Sequence, residues 1–321
     1  MVNKLPVIFD HDGGIDDLLS LMLLLTMEHV DLKGVTITPA DCFLSDATSS
    51  TLKILKLFGR EDVPVAQGRL HGINPFHYDW RAQPKMVNAL PIMIRTKENR
   101  DLIVKQPADV FIAEQLEQAE HPITVLMTGP CSNLTAALEL NPNAKNGLER
   151  LVWMGGAVDV KGNVATHNHD GSAEWNVYWD YLSANRLLKS GINITLMPLD
   201  ATNCLPIDHA FLSELAQHSE HRLVDLAGQF WACTVASIPS YEFTYFLWDV
   251  MATCVLGIEP DAIKVENCKL SVAIHEPNEG QTYRDEKSGN NVDVVVKAER
   301  EKVITYLIKQ LKSSNHNITN L

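Results

Sequence analysis

The chain has 321 residues, 45% of them hydrophobic and 21% charged, with a formal net charge of −13 at pH 7. Such an acidic balance disfavours a nucleic-acid backbone or an anionic membrane as partner, because both reward clustered Lys and Arg, and no apolar run reaches the roughly 18 residues a spanning helix needs. A small neutral or cationic ligand is the expected partner.

The first element is an apolar strand, Leu5 to Phe9, running into Asp10-His11-Asp12-Gly13-Gly14-Ile15-Asp16-Asp17 and then into a largely apolar helix from Leu18. Four carboxylates this close repel one another at pH 7, so the fold must hold them with a cation, with protons, or with backbone donors at the helix N-terminus. A hard divalent cation is the simplest of the three. Capping a helix needs one carboxylate, not three, so Asp12, Asp16 and Asp17 read as groups projecting from the sheet edge. Strand alternation sets Asp10 apart as an inward, structural residue, and His11 reads as a packing residue.

Further β-rich runs at 32–38, 63–66, 123–127, 151–154 and 194–199 alternate with helical spacing of apolar residues at 46–58, 108–119, 132–140 and 181–189. This alternation predicts an α/β fold, a mostly parallel central sheet with helices on both faces. Ligand groups should gather at the strand C-termini. Residues 68–106 read as irregular, rich in Pro, Asn and charge, and carry His71, His77, Tyr78, Trp80 and Arg81; a stretch that long is functional or disordered. Beyond Asp208 helices are expected over 211–235 and 248–256, strands over 268–274 and 292–296, and a last helix over 299–312. No linker or repeat marks a boundary, so residues 1–312 read as one domain, with a polar tail at 313–321 that frays. The six cysteines form no CxxC pair and read as reduced core thiols. With no signal-peptide core ahead of the first strand, the expected compartment is the cytoplasm.

Strand-Asp10-x-Asp12-Gly13 resembles the nucleophile loop of haloacid-dehalogenase-like phosphatases, in which Asp10 would attack phosphate beside magnesium. That leaves Asp16 and Asp17 without a task. A more specific resemblance is to the nucleoside hydrolases, whose signature Asp-x-Asp-x-Gly-x-Asp-Asp is matched by residues 10–17. Four later landmarks follow in that family's order: Met127-Thr128-Gly129-Pro130-Cys131-Ser132-Asn133, Trp153-Met154-Gly155-Gly156-Ala157, Ala173-Glu174-Trp175-Asn176-Val177-Tyr178-Trp179-Asp180 and Leu247-Trp248-Asp249.

The resemblance implies a nucleoside-hydrolase-like fold with extra C-terminal helices and strands. It also implies one calcium ion held by Asp12, Asp17, Asp249 and the Thr128 carbonyl, a donor set of oxygens that suits calcium. Asp12 would double as the base for water, while Asp16, Asn163, Glu174 and Asn176, joined by Asp41, would grip the ribose hydroxyls. Many members carry His before the metal Asp, whereas the purine-preferring inosine-adenosine-guanosine hydrolases carry Trp, and here the residue is Trp248. Trp80 would stack on the other face of the base, with Tyr241 or Tyr245 covering the site. The implied activity is calcium-dependent hydrolysis of purine ribonucleosides (inosine, adenosine, guanosine), by a homodimer. Two features depart from the subgroup: Gly14 stands where it tends to carry Asn, and residues 239–246 contain neither Arg nor Gly. A protein that keeps the calcium site but lacks turnover is a further reading. His167 and His169 form a His-x-His pair of the kind zinc uses, with no third strong ligand nearby.

Overall fold

The computed structural model describes residues 4–237 and 244–313, so Tyr241 and nearly all of the expected tail lie outside the described residues. The strands are β1 (Leu5–His11), β2 (Val30–Ile37), β3 (Val65–Gln67), β4 (Ile123–Met127), β5 (Leu148–Met154), β6 (Ile194–Met197), β7 (Pro206–Ile207), β8 (Tyr245–Phe246), β9 (Ile263–Val272), β10 (Thr282–Arg284) and β11 (Asn290–Ala298). Nine of them make one sheet in the order β10-β9-β11-β6-β5-β4-β1-β2-β3. The pairs from β3 across to β11 are parallel, and β9 and β10 add antiparallel edge strands.

Alternation along β1 builds both layers at once. Val7 and Phe9 enter the core shared with helix Ile15–Thr26, while Ile8 enters the opposite core, with Ile112 and Leu134 of helices Ala108–Glu117 and Ser132–Leu140. All twelve residues of Ile15–Thr26 are buried. A helix apolar on every side is stable only when enclosed, and this one packs against Trp248–Cys254, Arg222–Ser237 and Arg300–Ser313. Each large apolar side chain so buried contributes about 1.5–3 kcal/mol.

The helices following β1 and β4 leave for opposite faces of the sheet although the two strands are neighbours. Such a reversal opens a crevice at the strand C-termini, and Asp12 and Thr128 stand on its two sides.

Three expectations from the sequence are corrected, and three short strands were not expected. The first helix starts at Ile15 rather than Leu18, which places Asp16 and Asp17 in its first turn, where carboxylates favour the exposed N–H groups. Residues 68–106 are structured as a 3₁₀ turn, Tyr78–Ala82, two short helices, Gln83–Asn88 and Pro91–Arg95, and a second 3₁₀ turn, Arg100–Leu102; Pro84 and Pro91 pre-set the first turns of the helices. The helical run expected over 211–235 is two helices, His209–Ala216 and Arg222–Ser237, parted by the polar stretch 217–221. Strands β7, β8 and β10, two or three residues each, are too short to show a period.

Candidate active site

A cavity of about 650 Å³, counting its open mouth, occupies that crevice. Eleven of the twelve residues expected at the site line it: Asp12, Asp17, Asp41, Trp80, Thr128, Asn163, Glu174, Asn176, Tyr245, Trp248 and Asp249. They come from the ends of β1, β2 and β4, from the segment after β5, from the region after β3, and from the β8–helix junction.

The turn after β1 is specific to its sequence. Gly13 takes φ +94, a left-handed conformation that side chains resist, and a Cβ there would lie 2.4 Å from the Ala47 Cβ. Asp12 Oδ2 accepts the Asp41 N–H at 3.2 Å, and the Thr128 hydroxyl donates to Asp17 Oδ1 at 2.5 Å. The Thr128 carbonyl accepts from Asn176 Nδ2 at 2.8 Å, and the same nitrogen lies 3.2 Å from the Met154 carbonyl. Glu174 caps helix Trp175–Trp179, accepting the N–H groups of Asn176, Val177 and Gly156. Asn163 Oδ1 accepts the Trp175 N–H at 3.1 Å, which ties the loop after β5 to the same helix.

Asp16 is the exception. It is fully buried outside the cavity wall, where its carboxylate accepts the N–H groups of Asp249 and Val250 and the Trp231 indole N–H at 3.4 Å. Its oxygens anchor the first turn of helix Trp248–Cys254 and so hold Asp249 in position.

The electrostatics are those of an anionic pocket: among the described residues no Lys, Arg or His lines it, and the influence of Arg81 on Asp41 is outweighed by burial. Burial, then the neighbouring carboxylates, push Asp12 and Asp249 well above the usual carboxylate range. Asp41 rises to about 7 for the same reasons, and burial raises Asp17 despite the bond from the Thr128 hydroxyl. Asp41 Oδ1 is buried with no partner among the described residues. An all-oxygen donor set of this charge fits a hard divalent cation and does not fit zinc or copper, which favour nitrogen and sulfur. Among the described residues no three His, Cys, Asp or Glu side chains close around a single point as a finished metal shell.

The aromatic side faces these acids. Phe76 and Trp175 stack at 5.3 Å, Trp80 meets Trp175 edge-on at 5.3 Å, and Tyr245 tilts against Trp248 at 4.6 Å.

A sequence model of the inosine-uridine preferring nucleoside hydrolases matches residues 7–305. The chain belongs to that nucleoside hydrolase family. An inosine-uridine preferring nucleoside hydrolase from Bacillus anthracis superposes with a TM-score of 0.88 at 36% identity, over 97% of this chain and 100% of that one. A purine-preferring ribonucleoside hydrolase from Gardnerella vaginalis shares the fold, with a TM-score of 0.77 at 21% identity over 96% of this chain and 100% of that one. The pyrimidine-specific ribonucleoside hydrolase RihA of Citrobacter koseri is 29% identical over 206 residues, 62% of this chain and 61% of that protein. The chain thus matches about three fifths of the length of that curated relative.

Within a nucleoside-hydrolase fold the rival readings lose their geometry. Asp10, the nucleophile of the phosphatase reading, is fully buried and away from the cavity, accepting from Thr36, Thr38 and Asn133 at 2.9–3.1 Å. His169 spends both ring nitrogens, one on the Glu279 carbonyl and one on the Gly171 N–H, each at 3.0 Å, so the zinc reading of the His-x-His pair is overturned. His11 is the expected packing residue, stacked on Phe9 at 5.1 Å. All six cysteines are free, and four are buried. No helix among the described residues is long and apolar enough to cross a membrane.

Sequence reasoning missed Phe76, Gln83, Met154 and Trp175 in the wall. Trp175 could have been found from its place between Glu174 and Asn176. Gln83 carries no motif of its own; only its position three residues beyond Trp80 pointed to it.

Proposed function

We propose that this protein hydrolyses the N-glycosidic bond of purine ribonucleosides, releasing free base and ribose, with calcium bound by Asp12, Asp17, Asp249 and the Thr128 carbonyl. The observation that carries this reading is that Trp80 and Trp248, far apart in sequence, line the same cavity as that oxygen cluster. Broad indole faces match a bicyclic base better than a single pyrimidine ring, and base–aromatic stacking contributes about 1–3 kcal/mol per base. The name of the RihA relative favours pyrimidines instead, so uridine is the necessary comparison substrate.

Calcium, when bound, supplies Lewis-acid polarisation of a water and a grip on vicinal hydroxyls. Asp12 accepts the proton of the attacking water, whose oxygen bonds to the anomeric carbon as the C–N bond breaks. Glu174, held by three backbone N–H groups, and Asn163, held by Trp175, present fixed polar atoms to the ribose. Carboxylates preorganised around the sugar stabilise the positive charge that develops at the anomeric carbon. Trp80 and Trp248 flank the base, and their electron-rich faces favour a purine protonated at N7, which departs without a protein acid. That fits a wall with no His, Lys or Arg among the described residues. The same reading takes the enzyme to be a cytoplasmic homodimer, with residues 1–312 as one domain.

The test is product analysis after incubation with inosine. Equimolar hypoxanthine and ribose, lost in Asp12→Ala, support the proposal. Tight inosine binding by calorimetry with no ribose released would identify a binding protein instead.

A further inference from the structure

Helix Ile15–Thr26 begins without a cap of its own: Gly14 occupies the N-cap position and has no side chain to accept a bond from the first turn. The acceptor comes from sixty-eight residues along the chain, where Gln83 Oε1 takes the Ile15 N–H at 3.0 Å. Gln83 opens the short helix Gln83–Asn88, directly after the 3₁₀ turn that carries Trp80. A Cβ on residue 14 would meet Asp17 Oδ2 at 2.9 Å, Asp41 Oδ2 at 3.3 Å and Gln83 Oε1 at 3.6 Å. The missing side chain therefore leaves room for the Asp17 and Asp41 carboxylates beside the Gln83 contact.

This contact fixes the orientation of the carboxamide. The Ile15 N–H can only donate, so the atom facing it must be the oxygen, and the NH₂ group is turned elsewhere. Gln83 is half-buried and lines the cavity, and among the described residues its Nε2 makes no hydrogen bond. It is a neutral donor in a wall otherwise dominated by carboxylates, set between the turn carrying Trp80 and the loop carrying Asp12 and Asp17.

The geometry points to Gln83 as a residue that reads the base: its Nε2 donates to the ring acceptor next to the glycosidic nitrogen, N3 of a purine. Of the two ring nitrogens one atom removed from the glycosidic nitrogen, N7 carries the proton of the departing base in the proposed reaction, which leaves N3 as the acceptor on the sugar side. The inference rests on the nucleoside-hydrolase reading and adds to it a hydrogen bond to the leaving group.

The experiment is a double-mutant cycle of enzyme against substrate, using kcat/KM for adenosine and 3-deazaadenosine, which differ at the acceptor alone. Wild-type enzyme is expected to prefer adenosine by about tenfold more than Gln83→Met does, the scale of one hydrogen bond. Gln83→Glu keeps an acceptor for Ile15 and lacks the donor, so it should show the same loss of discrimination even where Gln83→Met folds poorly, with thermal melts reporting on the fold. Equal loss on both substrates would mean that Gln83 only clasps the two loops, and no loss on either would mean that it does nothing; each overturns the assignment. Wild-type enzyme that cleaves neither nucleoside would overturn the hydrolase reading itself, and this inference with it.

Discussion

On the acidic side of the cavity, Asp12 and Asp17 come from a single strand–turn–helix unit whose every helical residue is buried. The aromatic side is gathered instead from the short helices after β3, the segment after β5 and the start of helix Trp248–Cys254. Asp12 and Asp17 are thus held by the core of the molecule and Trp80 by a short piece of chain outside that unit, whereas Glu174–Trp175 and Trp248–Asp249 each supply one acid and one aromatic from a single segment. In the proposed reading the water-activating acids stand on the buried unit and the base-stacking Trp80 on a peripheral one, in keeping with function grafted on loops around a fixed scaffold.

Substitutions can break that division. The largest effect is expected from Asp12→Ala or Asp17→Ala, with kcat/KM for inosine falling by about 10³-fold or more while circular dichroism is unchanged. A stable, fully active variant would place the chemistry elsewhere. Next come Trp80→Ala and Trp248→Ala, each expected to lower kcat/KM for inosine by about 10–100-fold and for uridine by less, as loss of stacking requires. Equal losses on both nucleosides would make these tryptophans general packing rather than base-reading groups.

Asp10→Asn sharpens the comparison from the other direction. Asp10 sits in the same acidic stretch but belongs to the core, where three donors share one carboxyl that burial has raised to about 7. An amide replaces an acceptor with a donor, so the variant should lose about 1–3 kcal/mol of stability in urea titration and keep kcat within a few-fold. The smallest effect concerns His11, whose pKa full burial lowers to about 3. The unfolded chain binds a proton near pH 6.5 that the folded one refuses. His11 therefore contributes a loss of stability as pH falls, about 1.3 kcal/mol between roughly pH 7.5 and 5.5. The melting temperature of His11→Gln should fall less over that interval than that of the wild type, and a steeper fall would contradict the assignment.

Asp12 and Asp17 were legible in the sequence because they lie in one short stretch and its chemistry is unusual: self-repelling carboxylates announce a site wherever they fold. The parallel sheet was legible for a similar reason, since β1, β2, β4, β5 and β6 are apolar runs separated by amphipathic helices. The fate of Asp16 was not legible. Adjacent to Asp17 in sequence, it points a helical step away, and only the packing of Trp231 and helix Trp248–Cys254 against its own helix shows that it holds the backbone of Asp249. Phe76 and Gln83 escaped as well, because residues 68–106 have no long period and their order depends on prolines and on contacts far away in sequence, such as the bond from Ile15 to Gln83.

The central claim is that one cavity couples an oxygen-rich cation site to a purine-sized aromatic wall. The most direct measurement is ribose release from inosine and from uridine, side by side, before and after a calcium chelator and again after calcium is restored. The account predicts faster release from inosine, abolished by the chelator and recovered with calcium. Equal or faster release from uridine, or inosine turnover that survives the chelator, would contradict it.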